Sequence, residues 1–484
     1  QFSAQRDLAA CPFAPRSLPM TTLEQCSAQI SALSSEVATI KADHDESLDT
    51  IWMLLASLLV FFMHAGFSLL EAGCVRHKNT QNILAKNLIV VTAGFLCWYA
   101  LGYPLALGVL QDPGKFGGFT NFFMDGFWEN KTSFRVWFFQ GAFCATGGTI
   151  VSGAMAERTQ LKGFAIYIVA MTSIIYPIVV YWGWSGSGFL NYTDDNGEST
   201  TSVGGPAYMD FAGSGIVHMV GGIGALCGAI IVGPRAQRWD VQEPDETAVV
   251  CGARNAWGPD STAVEIFEPH NIPFCVLGTF FLWFGWYGFN PGSTGSMHDK
   301  ATAATAGLVA ANTTLAPCVA GLFVFIVRAV AVPPKRLDVG GFCNGILAGL
   351  VSITAGCNAV KPWEAVIIGL IGGLLYQATS MIMIRMKVDD VVDAFAVHGV
   401  NGLWGILALG FFGDPSHGIG GNGLLYGGNQ LGTQLFAALV IAAWTGLLSV
   451  IILVPLKMVG FLRLDDDFQK TGADLMEHSP GKAY

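Results

Sequence analysis

Two histidines lie inside long apolar stretches of this sequence, in similar local surroundings. His218 occurs in DFAGSGIVHMVGG and His398 in DAFAVHGVNG, so each follows an aspartate (Asp210 or Asp393) and precedes a glycine four residues later. An ionisable side chain at bilayer depth is costly and usually functional. We expect uncharged rings, because desolvation disfavours the charged form. Such a pair could line a pore or relay a proton, and each ring alone could simply be a satisfied interhelical hydrogen-bonding group.

The two aspartates admit two interpretations. An intramembrane carboxylate either binds a cation or accepts hydrogen bonds from backbone N–H groups and hydroxyls. We favour the second interpretation for Asp210 and Asp393, because Gly213 and Ser214 give Asp210 local N–H donors. Asp210 could in addition lower the cost of bringing a cation close.

Aromatic side chains form a second group that could do chemistry. Each ring attracts a cation by about 0.5 to 2 kcal/mol, enough to dock a small monovalent cation but not to replace its hydration. A cation able to lose a proton could continue as a neutral molecule. The alternative is an interfacial aromatic belt, which we favour for Trp182 and leave open for Trp184, Phe143 and Phe289. The group comprises Phe139, Phe143, Trp182, Trp184, Trp286 and Phe289, followed by Ser293.

The composition indicates a membrane protein. Hydrophobic residues make up 52% of the 484 residues and charged residues only 12%, far below the roughly 25% charge of soluble domains. Mean hydropathy is +0.49. The net charge of −10 falls mostly in the tails and one long loop, and no basic stripe indicates nucleic-acid binding. The sequence contains no recognisable catalytic nucleophile or metal-ligand grouping, so we predict no enzymatic activity, metal or cofactor.

Eleven apolar stretches are long enough to cross about 30 Å of hydrocarbon as helices. Lysine and arginine concentrate in alternate loops, which predicts an N-terminus outside and a C-terminus inside the membrane. We expect a multi-pass plasma-membrane protein, so that the N-terminus is extracellular and the C-terminus cytoplasmic. Spans one to five and six to ten look like halves of an inverted repeat, which places solutes near the midplane between halves. The predicted spans are 50–73, 85–110, 133–155, 163–184, 208–233, 271–291, 301–328, 340–357, 362–385, 391–413 and 431–459.

The other segments divide the chain into three parts. Residues 1–46 are interpreted as a polar, unpatterned extracellular tail, residues 47–460 as the membrane domain and residues 461–484 as a cytoplasmic C-terminus. The membrane domain has halves at about 47–233 and 271–415, separated by the cytoplasmic loop 234–270.

Two chemical modifications are expected on the outer side. Asn130 and Asn191 begin sequons in predicted outer loops and could carry glycans. An extracellular tail would also allow a disulfide between Cys11 and Cys26.

From about residue 48 to the C-terminus the chain resembles the ammonium transporter, methylammonium permease and Rhesus family, and within it the Amt branch. The landmarks are EAGCVRHKNTQN, GAMAERTQLKG, DFAGSGIVH, GWYGFNPGS, CNGILAGLVSITAGC and DAFAVHGVNGLWG. The resemblance implies an all-α ammonium transporter fold with eleven transmembrane helices, a 5+5 inverted repeat plus one helix. It also implies a homotrimer in the lipid bilayer, with one pore per subunit for ammonium and methylammonium.

The resemblance assigns roles along that pore. It implies high-affinity-type, electrogenic uptake, in which a histidine pair separates ammonium into ammonia and a proton and conducts both. By this resemblance, the residues that recruit the cation would be Trp184, Ser293, Phe139 and Asp210. The gate would be Phe143 and Phe289, and the histidine pair would be His218 and His398.

The C-terminal segment resembles the cytoplasmic regulatory tail of this family. Gly472 and Asp474 occupy matching positions, which leaves room for a cytoplasmic regulator as a further partner. Met476 stands where plant members tend to have a phosphorylatable threonine. The alternatives to electrogenic transport are an electroneutral ammonia or gas channel of Rhesus type and an ammonium sensor with a transporter fold.

Overall fold

The computed structural model describes residues 23–108, 116–194, 197–239, 267–417 and 422–479. Within these ranges the chain is mostly helical, and the long helices include short 3-10 or π turns. They are α1 (Leu23–Cys74), α2 (His77–Leu107), α3 (Ser133–Ala154), α4 (Leu161–Trp184), α5 (Ser214–Val232), α6 (Ile272–Thr294), α7 (Lys300–Val330), α8 (Val339–Ile353), α9 (Pro362–Arg385), α10 (Phe395–Phe412) and α11 (Gln430–Met458), followed by the short α12 (Asp466–Thr471) and α13 (Ala473–Glu477).

Each predicted span coincides with one of the helices α1 to α11. In the described part of the chain, nine of them are long and apolar enough to cross a membrane, α8 is a shorter apolar helix, and α3 completes the set. The predicted all-α polytopic fold is confirmed. A small antiparallel sheet in the order β1 (Ser187–Gly188), β2 (Asn191–Thr193), β3 (Ser199–Thr200) joins α4 to α5.

The beginning of α1 differs from the prediction. Residues 23–46 were expected to be an unpatterned tail, yet α1 is helical from Leu23 and enters the predicted span without a break. The reason is a sparse apolar stripe at helical spacing, which the polar composition of this segment conceals. Cys11 lies outside the described residues, so its pairing with Cys26 stays a prediction.

The two histidine-bearing helices begin later than predicted. α5 begins at Ser214 and α10 at Phe395, and in each the first residues form a π turn that contains the histidine. Gly213, immediately before α5, has φ +104°, a left-handed conformation that glycine adopts without strain. The segments before both helices therefore leave backbone N–H groups that need acceptors.

Helices α5 and α10 cross at very short range and in a symmetric manner. A Cβ on Gly222 would lie 2.1 Å from the backbone nitrogen of Gly399, and a Cβ on Gly402 would lie 2.7 Å from that of Met219. Each of these contacts joins the glycine four residues after one histidine to the residue directly after the other histidine. The glycine in both sequence motifs therefore allows the close approach that brings the two histidines together.

Candidate functional site

Trp184 and Ser293 end two helices at the same end of the bundle, which we call the mouth face. Trp184 is half-buried at the end of α4, and its Nε1–H donates to the backbone oxygen of Asp210 over 2.7 Å. The Ser293 hydroxyl donates to the carbonyl of Phe289, also at 2.7 Å. The Trp184 ring contacts Phe143 edge-on, with centroids 6.0 Å apart. Both predicted mouth residues are thus joined to the predicted gate.

Asp210 is buried four residues before the π turn of α5 and accepts hydrogen bonds from the backbone there. Its carboxylate accepts four N–H bonds of 2.8 to 3.0 Å, and the Tyr208 hydroxyl donates to it at 3.1 Å. The favoured interpretation of Asp210 as an acceptor for local N–H groups agrees with these contacts. The N–H donors are Gly213, Ser214, Gly215 and Ile216.

The second half of the repeat uses a different aspartate from the one matched in the sequence. Asp390 lies eight residues before His398, as Asp210 lies eight before His218. Asp390 accepts from the N–H five residues on, as Asp210 also does, at 2.8 Å in both cases. Asp393 instead accepts from the hydroxyls of Tyr376 and Ser380 at 2.9 and 3.0 Å. Asp390, not Asp393, is therefore the structural counterpart of Asp210.

Below the mouth, Phe143 and Phe289 stack directly on each other. Their centroids are 3.9 Å apart with an interplanar angle of 15°, and both rings are fully buried. Phe139, one turn earlier on α3, lies 4.6 Å from Phe143. The three rings form a continuous apolar plug that a hydrated ion could pass only after losing water.

The two histidines lie directly beneath this plug. His218 Nδ1 is 3.2 Å from His398 Nδ1, and the rings are nearly parallel with centroids 5.2 Å apart. His218 lies 5.3 Å from the Phe289 ring and stacks at 5.1 Å against Trp286. His218 Nε2 is buried without a hydrogen-bond partner among the described residues. The two rings are thus in direct contact, and His218 Nε2 is left to hydrogen-bond a small polar molecule.

A small cavity continues beyond His398 toward the other end of the bundle. It is lined by Phe67 and Glu71, which the sequence analysis does not predict as pore residues. The Phe67 ring lies 6.3 Å from His398, and the buried Glu71 carboxylate accepts from Asn87 and Ser152 at 2.7 Å. An acidic residue inside an apolar span is the signal that could have found Glu71. The remaining lining residues are Leu70, Ile150, Asn344, Leu347, Val392, Ala394 and Val397.

The C-terminal segment docks on the far end of the bundle, which we call the tail face. The Asp474 carboxylate accepts the N–H groups of Gln81 and Asn82 at 2.9 and 2.8 Å, in the first turns of α2. The adjacent Ala473 N–H donates to Asn79. Gly472 has φ +107°, and a Cβ there would lie 2.6 Å from the Lys78 side chain. Both predicted regulatory residues therefore belong to this contact.

The charged residues that follow α1, α3, α5 and α9 are linked to that contact through Asn79, whose side chain donates to Glu157. Glu157 is bonded to Arg76 and to Arg235, and Arg235 also pairs with Asp389 at 2.8 Å. Burial alone would raise the pKa of Asp389, but Arg235 and Arg158 outweigh burial and hold the pKa well below its usual value. The carboxylate therefore stays ionised on the tail face.

The two sequons lie on the mouth face with different surroundings. Asn130 is exposed, and its side-chain oxygen accepts from Thr132 at 2.7 Å. Asn191 lies in β2 and donates to the Gly183 carbonyl at 3.1 Å. Glycosylation of either asparagine stays a prediction.

The comparisons with known proteins agree with this geometry. A sequence profile described as the Ammonium Transporter Family matches residues 51–484. The chain belongs to the ammonium transporter family. It is 37% identical over 452 residues to "Ammonium transporter Amt2" of Archaeoglobus fulgidus, covering 91% of this chain and 89% of that one. It is 35% identical over 468 residues to "Ammonium transporter 3" of Dictyostelium discoideum, covering 94% and 99%.

Solved structures of the family have the same fold. The structure described as "Sensor Amt Protein" aligns with a TM-score of 0.76 at 33% identity, over 90% of this chain and 99% of that one. Candida albicans Mep2 aligns with a TM-score of 0.72 at 27% identity, over 90% and 93%. The family predicted from the landmark motifs is confirmed.

Proposed function

We propose that this protein takes up ammonium, and with it methylammonium, across the plasma membrane through the path from the mouth face to the tail face. The observation that carries the proposal is the unbroken series of contacts from Trp184 through the stacked Phe143 and Phe289 to the paired His218 and His398. The N-terminus would be extracellular, the C-terminus cytoplasmic, and three such chains would assemble with one pore each.

Recruitment would occur at Trp184, Ser293 and Phe139. The Trp184 ring face attracts a cation, and the Ser293 hydroxyl can accept a hydrogen bond while it donates to Phe289. Asp210 lies behind Trp184 and adds negative charge without direct contact. Potassium could reach the same position but has no proton to lose.

Beyond the gate, the histidine pair would handle ammonia and the proton separately. When one ring donates its Nδ1–H to the Nδ1 of the other, the first ring has an acceptor Nε2 and the second ring a donor Nε2–H. The acceptor Nε2 takes the proton of ammonium, the shared Nδ1 proton moves to the second ring, and that ring releases its Nε2–H. Ammonia and one positive charge cross for each ammonium, so uptake is electrogenic.

The docked C-terminal segment would regulate this path. Asp474 contacts the start of α2, and α2 also carries Asn87, which donates to Glu71 beside the inner cavity. Release or docking of the tail can therefore reposition α2 relative to the inner end of the pore. A cytoplasmic regulator could act by binding the tail.

Current recording in proteoliposomes across an ammonium and potassium series tests the proposal. A saturable inward current with ammonium and none with potassium is the expected result. Reconstituted, folded protein without an ammonium current would overturn it. An electroneutral channel of Rhesus type would instead give a pH change without current.

A sensing role has one specific observation in its favour, the 33% identity to the chain described as "Sensor Amt Protein" over 90% of this chain. A pure sensor would bind ammonium and alter the protease accessibility of its tail while carrying no current. The same proteoliposomes separate this outcome from transport.

A further inference from the structure

The first part of α1 carries an apolar stripe that no other described part of the chain covers. We call residues 25–46 the α1 extension. Its four large apolar side chains are 56 to 66% exposed, although the segment lies outside the predicted membrane span. Exposed aliphatic side chains in water cost free energy unless another surface covers them. They are Ile30, Leu33, Val37 and Ile40.

The spacing of this stripe is that of a coiled-coil seam. The intervals of three, four and three residues place Ile30 and Val37 at heptad position a and Leu33 and Ile40 at position d. Ser31, Ser35 and Thr39 lie between them and are exposed. One face of the α1 extension thus carries the large apolar side chains and the other positions carry polar residues or alanine, the pattern of a helix that packs against one or two similar helices.

The same register continues along the membrane-embedded part of α1. After His44 and Ser47, which occupy the next a and d positions, Ile51, Leu54, Leu58 and Phe61 occupy the following a and d positions of the same series and are exposed. The seam of the α1 extension therefore lies on the side of α1 that faces away from its own bundle. A neighbouring chain can reach it without displacing any described helix.

The base of the α1 extension is fixed in direction. Asp49 accepts from the backbone of Met297 and His298, and Arg135 is bonded to Glu46 and Thr50. Because α1 is one continuous helix, the extensions of neighbouring copies in a membrane must all point the same way and be in register. The helix is already nucleated by its membrane part, so a short seam suffices.

Charges beside the seam suit parallel pairing. Glu36 occupies position g and Lys41 the following position e, the two positions that meet between neighbouring helices in a parallel coiled coil. They are five residues apart, so they do not face each other within one helix. Within one chain, Lys41 pairs with Asp45 at 2.7 Å on the exposed surface, which leaves Glu36 for a neighbour.

We propose that the α1 extension forms a parallel, in-register coiled coil with the same segment of other copies of this chain. The seam would be buried between the helices, with Glu36 of one copy beside position 41 of the next. The number of helices in the coiled coil, three, rests on the trimer of the proposed function. It gives the protein an assembly contact that projects beyond the membrane.

Disulfide trapping in the full-length protein tests this contact. In a background with Cys11→Ser and Cys26→Ser, Leu33→Cys places a thiol at position d, and Ser35→Cys places one at the opposite position f. After mild oxidation in native membranes, we expect at least about tenfold more covalent dimer from Leu33→Cys than from Ser35→Cys, since only d positions face each other. Equal yields, or no dimer from Leu33→Cys, would overturn the proposal.

Charge reversal at Glu36 and Lys41 provides an independent test of the parallel register. Glu36→Lys in the Leu33→Cys background should lower the dimer yield, and adding Lys41→Glu should restore it. A double reversal that fails to restore the yield contradicts the parallel register. Deleting residues 1–22 should leave the yield of covalent dimer unchanged. If cross-linking appears only after the deletion, residues 1–22 cover the seam in the full-length protein. That result would also overturn the proposal.

Ammonium current measured on the same membranes separates this inference from the proposed function. An intact ammonium current without cross-linking at position 33 would contradict the coiled coil but not the proposed transport. Cross-linking at position 33 without an ammonium current would support the coiled coil and contradict the proposed transport.

Discussion

His218 Nδ1 lies 3.2 Å from His398 Nδ1, although the residues are 180 positions apart in the chain. Replacing both by alanine should let potassium through or abolish the ammonium current, because the proposed separation of ammonia from a proton requires the imidazole pair. We expect the ammonium-to-potassium current ratio to fall at least about tenfold, equal to about 1.4 kcal/mol of lost discrimination. The control is His64→Gln, which changes a buried histidine that contacts Thr149 and not the pair. Unchanged selectivity in the double variant would remove the histidines from the mechanism.

Trp184→Leu should weaken recruitment at the mouth face. Losing one cation–π contact of about 0.5 to 2 kcal/mol predicts an increase of about two- to thirtyfold in the ammonium concentration for half-maximal current. Trp182→Phe is the matched control, since Trp182 packs against Phe116 and Trp444 away from the gate. An equal shift in both variants would count against a recruitment role for Trp184.

Gly472→Ala should undock the C-terminal segment. A methyl group at this position would lie 2.6 Å from the Lys78 side chain and 2.8 Å from its carbonyl oxygen, in a left-handed conformation that alanine adopts at a cost. Limited proteolysis should cut the tail sooner than in the parent, and ammonium current should fall. Gly460→Ala is the control, because Gly460 also has positive φ but nothing lies within 4 Å of its Cβ position. If both variants are cut at the same rate, backbone strain and not the Lys78 contact explains the change.

The sequence predicts the positions of the eleven spans and the two paired histidines, because both depend on local patterns. A histidine in each half, with a glycine four residues on, already encoded the contact between α5 and α10. No local pattern encodes the pairing of Phe143 with Phe289, since their stacking depends on how α3 and α6 meet. Only the family resemblance supplied that pairing.

The predictions for Asp393 and for residues 23–46 are wrong for reasons that are also local. Asp393 was matched with Asp210 because it is the nearest aspartate to His398, whereas the acceptor for the start of α10 lies three residues earlier. The prediction for residues 23–46 is wrong because their large apolar residues are dispersed among polar ones, and neither composition nor mean hydropathy records spacing. Their spacing of three and four residues carried the information.

Asp390 predicts a pH dependence of stability with a definite sign. Burial, reinforced by Asp393, raises the pKa of Asp390 to about 6 in the folded protein, from an ordinary value near 3.8. Between these two pH values the folded state binds more protons than the unfolded state, so this residue's contribution to stability falls as pH rises through about 6. Asp390→Asn keeps an acceptor for the Phe395 N–H but cannot ionise.

The thermal midpoint of the detergent-solubilised parent should therefore decline relative to that of Asp390→Asn as pH rises from about 4 to 7. The comparison between the two proteins cancels the titration of all groups that they share. A constant difference across this range would mean that Asp390 titrates in the folded protein as it does in the unfolded chain. That result would mean that the N–H donors at the start of α10, which favour the ionised carboxylate, offset the effect of burial.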